Sequence, residues 1–159
     1  MLFRSEQGGF VREVTTHYLF LCRRLFGELT LVSSHLNYPE DGRSAVTFAD
    51  VLMTAGSTQV TLTGSTLGSG PDVVHMNVWG SNTAYRIRDL HFLDWYDGES
   101  WSAAVTHEHR PELDTYLNQL DNFAAMLEGK VHRLPDFAEA FETQKLVEAI
   151  LAGTTGEPM

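Results

Sequence analysis

The most constraining feature of this sequence is a run of short strand-like segments between residues 29 and 105, separated by links too short for a crossover. The segments alternate apolar with polar residues or are rich in β-branched and aromatic side chains, as strands are. Strands joined by hairpin-length links must be antiparallel, because a parallel neighbour needs a connection of about a dozen residues or more. The sequence therefore predicts a meander of six or seven strands. They begin at Leu29 and then cover Val46–Ala55, Thr58–Leu67, Val73–Gly80, Ala84–Leu90, His91–Tyr96 and Ser100–Val105.

Helical patterns flank this run on both sides. Apolar residues recur at steps of three and four over residues 11 to 26 and stop at Gly27, and two later runs cover Arg110–Glu128 and Pro135–Ala152. We therefore predict an α+β fold: an open, mostly antiparallel β-sheet of about six to eight strands with helices packed on one face. It forms a single domain over residues 1–153, followed by a loose tail at 154–159.

Composition narrows the class of partner. The chain has 159 residues, of which 43% are hydrophobic, and this suits one globular domain with its own core. Its net charge of −10 argues against nucleic acid or an anionic membrane as the main partner. The longest apolar run, Tyr18–Cys22, is far shorter than the roughly 20 residues that cross a bilayer. The first six residues lack the pattern of a secretory signal, so we expect a cytoplasmic protein.

Glu13 and His17 are the leading candidates for chemistry. They stand four residues apart on the first predicted helix, and this spacing puts them on the same side, one turn from each other. An imidazole beside a carboxylate can accept and donate protons near neutral pH. An ordinary pair of helical surface side chains has the same spacing, so spacing alone leaves both interpretations open.

Other clusters give weaker signals. His107-Glu108-His109 places two imidazoles at i and i+2, which can begin a metal site, but no clear third ligand stands nearby and Pro111 favours a surface connector. We therefore predict no metal site. The aromatic residues of the strand region could line a sugar-stacking cleft, although packing against the helices is the favoured interpretation. They are Trp79, Tyr85, Phe92, Trp95, Tyr96 and Trp101.

The glycines do not form a nucleotide-binding motif. The segment from Gly64 to Pro71 opens no predicted helix and lacks the Lys-Ser/Thr ending of a phosphate loop. A dinucleotide fingerprint between a strand and a helix is also missing. We therefore predict no cofactor-binding residues in this chain.

Three stretches together resemble the C-terminal domain of the Gfo/Idh/MocA oxidoreductases. The first runs from Gly8-Gly9 through Glu13 and His17 to a helix that ends in Leu25-Phe26-Gly27. The second, Val78–Ile87, is similar to the family's strand, Gly-Ser/Thr, strand element. The third is similar to the family's closing helices and comprises Leu120–Gly129, Leu134–Phe137 and Gln144–Leu151.

The resemblance implies a substrate-binding and oligomerisation domain of an NAD(P)-dependent oxidoreductase that acts on a sugar, cyclitol or related polyol. It assigns His17 to the proton-transfer position and Glu13 to the acid position, where the commoner pattern has Asp. NAD or NADP would bind a Rossmann domain of the full-length parent, and this chain alone is expected to bind neither. Since the family's Glu-Lys-Pro motif is absent, the chain alone is not expected to catalyse hydride transfer. A homo-oligomer assembled through the sheet face is expected.

Two other functions stay open at this point. One is a non-catalytic ligand-binding or regulatory protein with the same domain fold. The other is a small protein with a curved sheet that closes into a cone around an internal pocket. The cone predicts a closed sheet. The oxidoreductase domain and the non-catalytic protein of the same fold both predict an open sheet with Glu13 and His17 at an edge.

Overall fold

The structure, a computed structural model, describes residues 8–41 and 43–153. The first seven residues, Gly42 and the predicted tail at 154–159 lie outside the described residues. Four helices and seven strands occur in this part of the chain. They are α1 (Phe10–Glu13), α2 (Thr15–Phe26), β1 (Thr30–Asn37), β2 (Phe48–Ala55), β3 (Thr58–Ser65), β4 (His75–Trp79), β5 (Ala84–Arg88), β6 (Phe92–Tyr96), β7 (Trp101–Ala103), α3 (Pro111–Leu127) and α4 (Phe137–Ala152).

The predicted fold class is confirmed. Every strand pair is antiparallel and joins neighbours in sequence, and no barrel closes among the described residues. One difference is that the strands form two sheets, β1-β2-β3 and β4-β5-β6-β7, rather than one. The link from Thr66 to Val74 separates them, because Gly68, Gly70 and Pro71 interrupt the alternation that would carry one sheet onward.

The chain divides into two compact units, and the first holds the described residues up to Ser69 and those from Pro135 onward. Its core lies between one face of the three-stranded sheet and the helices α1, α2 and α4. Strand β2 alternates as a half-buried strand should, with Ala49, Val51, Met53 and Ala55 buried. The helices contribute Val11, Leu19, Cys22, Leu146, Val147 and Ile150 to the same core.

A hydrogen bond ties helix α4 to strand β1. The Ser34 hydroxyl donates to the Ile150 carbonyl over 2.8 Å, and both residues are buried. Helix α4 begins with a capping box in which Asp136 accepts from the Glu139 N–H and Glu139 accepts from the Asp136 N–H. The end and the start of α4 are therefore both fixed by specific polar contacts.

The second unit comprises residues 70–134 and contains the four-stranded sheet and helix α3. Strand register gives this sheet two faces of different character. The apolar face carries Met76, Val78, Tyr85, Ile87, Leu93 and Trp95, all of them at least partly exposed. The opposite face, called here the arginine face, carries His75, Asn77, Trp79, Ala84, Arg86, Arg88, Phe92, Asp94, Tyr96, Trp101 and Ala103.

Helix α3 forms where the sequence predicts it, with Pro111 in its first turn. Its apolar stripe, however, is exposed: Leu120 is 52% exposed and Leu127 is 71% exposed. The other members of the predicted stripe are exposed too, namely Leu113, Tyr116, Leu117 and Phe123.

In the described part of the chain, no helix is long and apolar enough to cross a membrane.

Candidate functional site

Glu13 and His17, the pair predicted from the sequence, lie in the first unit. Glu13 is the last residue of α1 and His17 is the third residue of α2, so two helices carry them rather than the single predicted one. Both side chains are exposed. The Oε1 atom of Glu13 accepts a hydrogen bond from the Gly9 N–H over 3.4 Å. The imidazole of His17 is thus accessible to a ligand and does not belong to the core.

The break between the two helices has a local cause. The Thr15 hydroxyl donates to the Val11 carbonyl over 2.5 Å, and the Thr16 hydroxyl donates to the Arg12 carbonyl over 2.6 Å. Hydroxyls that bond the carbonyl four residues earlier compete with the helical hydrogen bonds and bend helices. The apolar spacing continues through Val14 unchanged, and therefore periodicity alone does not reveal the break.

Two glycines seat α1 against the sheet. Gly9 has φ +107°, a left-handed conformation that favours glycine, and a Cβ there would lie 2.7 Å from the Ala45 Cβ. In β3, the ring of Phe10 lies directly over Gly64, where a Cβ would clash with the ring. The start of α1 can approach the loop before β2 and strand β3 this closely only because both glycine positions lack a side chain.

Two arginine–carboxylate pairs clamp the first helices to α4. Arg12 bonds both carboxylate oxygens of Glu148, and Arg24 bonds both oxygens of Glu139, the latter over 3.0 and 2.8 Å. The hydrogen bond from Arg12 holds the pKa of Glu148 below its usual value, and the bond from Arg24 does the same for Glu139. Both clamps belong to the first unit and hold the helices that present Glu13 and His17.

Two open cavities adjoin these helices in the first unit. One, of about 310 Å³, is lined by Gly8, Arg12, Tyr38, Ala45, Val46, Glu148, Leu151 and Ala152. The other, of about 420 Å³, is lined by Phe20, Arg23, Arg24, Gly27, Glu28, Glu139 and Glu142. Neither Glu13 nor His17 lines either cavity. The predicted pair is therefore a surface feature of this unit.

His107 and His109 meet the carboxylate of Asp114 in the second unit. The Nδ1 atom of His109 lies 2.7 Å from Asp114 Oδ1, and that of His107 lies 3.5 Å from Oδ2, which also accepts the N–H of Glu108 and of His109. Burial acts to raise the pKa of Asp114, but the hydrogen bonds from His109 and Glu108 hold it below its usual value. The carboxylate orders the connector that leads into α3.

Among residues 8–41 and 43–153, no group of three or more His, Cys, Asp or Glu side chains is placed to hold a metal ion. Of the other histidines, His35 in β1 and His75 in β4 are exposed, and the His91 Nδ1 lies 3.1 Å from the Thr115 hydroxyl.

The arginine face contains a charged cluster that sequence reasoning missed. Asp94, 5% exposed, accepts from Arg88 Nε over 2.7 Å and from Arg86 Nε over 2.9 Å. The Arg86 guanidinium lies 4.4 Å from the centroid of the Trp101 ring. Sequence places Arg86 and Arg88 two apart on one strand, but only the register of β5 with β6 puts both against Asp94.

The interpretation of the aromatic residues as packing is wrong for three of them. Trp79 is 75% exposed, Tyr85 is 42% exposed and Trp95 is 40% exposed. Alternation along β4, β5 and β6 indicates which face each side chain joins but not whether another element covers that face.

The glycines between β3 and β4, and Gly64 within β3, do not form a phosphate-binding loop. A phosphate-binding loop needs glycines whose backbone opens directly into a helix N-terminus. Gly64 is covered by the Phe10 ring, and the loop with Gly68 and Gly70 leads into strand β4. Neither of these two glycine segments therefore has the geometry of a phosphate-binding loop.

Comparison with solved structures identifies the fold. The chain is similar to a dehydrogenase, MviM, from Clostridium difficile, with a TM-score of 0.72 and 12% identity over 90% of this chain and 47% of that one. It is similar to an oxidoreductase from Thermotoga maritima, with a TM-score of 0.69 and 15% identity over 95% of this chain and 45% of that one. A third is KijD10, a 3-ketoreductase from Actinomadura kijaniata solved with TDP-benzene and NADP, with a TM-score of 0.65 and 14% identity over 89% and 46% of the two chains.

These neighbours are Gfo/Idh/MocA-type oxidoreductases. The fold is that of their C-terminal domain. No family model and no curated protein matches the sequence. The chain spans less than half the length of these three neighbours. The resemblance seen in the sequence is thereby confirmed at the level of fold, while the roles of Glu13 and His17 stay predictions.

Proposed function

We propose that this chain is the substrate-binding and oligomerisation part of an NAD(P)-dependent oxidoreductase that acts on a sugar, cyclitol or related polyol in the cytoplasm. The observation that carries the proposal is the fold match, which covers about nine-tenths of this chain but less than half of each neighbour. A second part of the parent, a Rossmann domain, would then hold NAD or NADP. We also propose that residues 1–153 form one domain of that parent.

Within this function, His17 accepts the proton of the substrate hydroxyl while the Rossmann domain supplies the redox chemistry. Its exposed position on α2 supports the role, because a proton acceptor must reach the substrate within hydrogen-bond distance. Glu13, exposed at the end of α1, holds the substrate or orients His17. The contacts at Gly9, Gly64 and Arg12 fix α1 and so limit where the Glu13 carboxylate can lie.

The apolar face of the four-stranded sheet supports the oligomerisation role. Six large side chains share it, and Tyr85 and Trp95 are 42% and 40% exposed. Contiguous exposed apolar side chains on a sheet typically mark an interaction surface. A symmetric pair of copies joined through this face would remove these side chains from water.

The test is to express the open reading frame that contains this chain together with whatever sequence precedes it in the genome. We expect nicotinamide-linked oxidation of at least one compound in a panel of sugars, cyclitols and other polyols, measured as NAD(P)H absorbance. A parent that binds a polyol in calorimetry but shows no nicotinamide-linked turnover with any of the panel would instead support the non-catalytic ligand-binding protein.

A further inference from the structure

Three aromatic rings form an exposed cluster at one end of the arginine face. Trp79, Tyr96 and Trp101 lie in one row of the sheet, since Trp79 pairs with Ala84, Ala84 with Tyr96, and Tyr96 with Trp101. The Trp79 and Trp101 centroids are 6.4 Å apart in an edge-on arrangement, and those of Tyr96 and Trp101 are 5.4 Å apart. Trp79 nevertheless remains 75% exposed, so its ring offers a flat apolar surface to a ligand.

Next to this cluster lie two guanidinium groups. The strands of this sheet carry three charged side chains, Arg86, Arg88 and Asp94, and all three are on the arginine face. Asp94 accepts hydrogen bonds from both guanidinium groups, and Asp89, just after β5, also interacts electrostatically with Arg88. The bonds to Asp94 use Nε and Nη2 of each arginine, so the Nη1 groups are directed elsewhere.

We propose that the arginine face binds a sugar carboxylate, with its ring against Trp79 and its carboxylate on Arg86 and Arg88. A pyranose presents C–H groups on one face, and these lie favourably against the negative face of an indole ring. Guanidinium groups bind carboxylates through paired, charge-assisted hydrogen bonds. Because Asp94 already fixes both guanidinium groups, the site loses little side-chain freedom on binding.

The charge of the site limits the anion that it can bind. A sugar carboxylate brings one carboxylate to the two guanidinium groups, whereas a polyphosphate would bring several negative charges to a strongly acidic chain that already places Asp94 and Asp89 beside them. Asp97, in the turn after β6, accepts the N–H groups of Glu99 and Ser100 and is engaged within its own turn. The site consists of residues of the second unit alone and does not depend on Glu13, His17 or the function proposed above.

The three tryptophans of the chain allow a direct test by fluorescence. Trp95→Phe leaves reporters only on the arginine face, whereas Trp79→Phe with Trp101→Phe leaves only Trp95 on the apolar face. Each variant of the 159-residue chain is titrated with three compounds. Glucuronate has both the sugar ring and the charge, glucose has the ring without the charge, and acetate has the charge without the ring. Circular dichroism checks that each variant is folded.

We expect a saturable change with glucuronate in Trp95→Phe, and affinities for glucose and acetate at least about tenfold weaker. Adding Arg86→Gln to Trp95→Phe weakens glucuronate binding by about tenfold, because one guanidinium donor is lost. Asp94 still has a charged partner in this variant, since Arg88 bonds it independently. Trp79→Ala, which leaves the arginine cluster intact, provides a second weakened variant.

Three results would each overturn the proposal: no saturation with glucuronate, an equal response to acetate, or the same binding reported by Trp95 alone.

Discussion

Gly9 is the residue from which the chain enters helix α1, and a side chain there would destabilise the fold for two reasons. A Cβ at this position would lie 2.7 Å from the Ala45 Cβ, and the φ of +107° is itself unfavourable for other residues. We expect Gly9→Ala to lower the free energy of unfolding by about 3 kcal/mol, the sum of backbone strain and overpacking. Urea denaturation followed by circular dichroism measures the loss.

Gly27 provides the matched control for this substitution. Its φ is +93°, but a Cβ there meets nothing within 4 Å. Gly27→Ala should therefore cost only the backbone term of about 1 kcal/mol. Equal losses for the two variants would show that the contact with Ala45 adds no destabilisation.

His17 carries the prediction for activity. In a full-length parent, His17→Ala should lower turnover by about 100-fold or more, because a proton acceptor at the reacting hydroxyl contributes on that scale. Cofactor affinity, measured by nicotinamide fluorescence, should stay the same. His35→Ala, at another exposed histidine in the same unit, serves as the control. Unchanged turnover in His17→Ala would remove His17 from the mechanism.

Individual residues show how far the sequence could predict the site. The spacing of Glu13 and His17 made them candidates, and the family resemblance gave them roles that stay predictions. The break at Val14 was not predictable from periodicity, since it depends on hydroxyl hydrogen bonds that leave the apolar spacing intact. The clamp between Arg12 and Glu148 joins residues 136 positions apart, and nothing local in the sequence indicates such a pair.

Among the secondary-structure elements, the four-stranded sheet depends on a buried carboxylate. Asp94→Asn removes the charge that holds Arg86 and Arg88, and we expect it to lower the free energy of unfolding by about 2 kcal/mol. The hydrogen bond from Arg88 is the largest cause that holds the pKa of Asp94 below its usual value, against an opposing effect of burial.

This depressed pKa gives the stabilisation a defined pH dependence. The contribution of Asp94 is fully present above the ordinary carboxyl pKa and is lost as the pH falls through the lower folded-state pKa. The difference between the wild-type chain and Asp94→Asn should therefore shrink in that acidic window. Urea denaturation of both chains across the window measures it, and a difference independent of pH would contradict the assignment.

The bounds of the elements were largely predictable from the sequence. Each of the seven strands and the helices α3 and α4 lies where alternation, apolar spacing and Pro or Gly punctuation place it. The division into two sheets was not predictable, because alternation describes each strand but says nothing about which strands bond across a link. The exposed stripe of α3 was missed for a similar reason, since an amphipathic pattern predicts a helix without identifying its partner.

For the whole molecule, the apolar face gives a prediction about assembly. Ile87→Glu places a charge among the six apolar side chains of that face, and we expect it to convert the oligomer to a monomer. Light scattering after size-exclusion chromatography measures the mass. Asn77→Glu, on the opposite face of the same sheet, is the control, and a monomeric wild-type chain would contradict the proposed interface.

Cofactor binding gives a second prediction for the whole chain. Because the glycines between β3 and β4 lead into a strand, and Gly8-Gly9 opens only the four-residue helix α1, the 159-residue chain should give no saturable fluorescence change with NADH or NADPH. The full-length parent should bind one of them. Tight binding by the chain alone would mean that it holds a nucleotide site of another kind.

Helix α3 determines how this polypeptide behaves when it is handled by itself. Seventeen residues of helix present Leu, Tyr and Phe side chains to water, and those side chains contribute little to keeping the helix folded. A purified sample should therefore take up reporter dyes such as ANS and adhere to hydrophobic chromatography media. Its amide protons in α3 should exchange with solvent sooner than those of α4, whose Leu146, Val147 and Ile150 are buried.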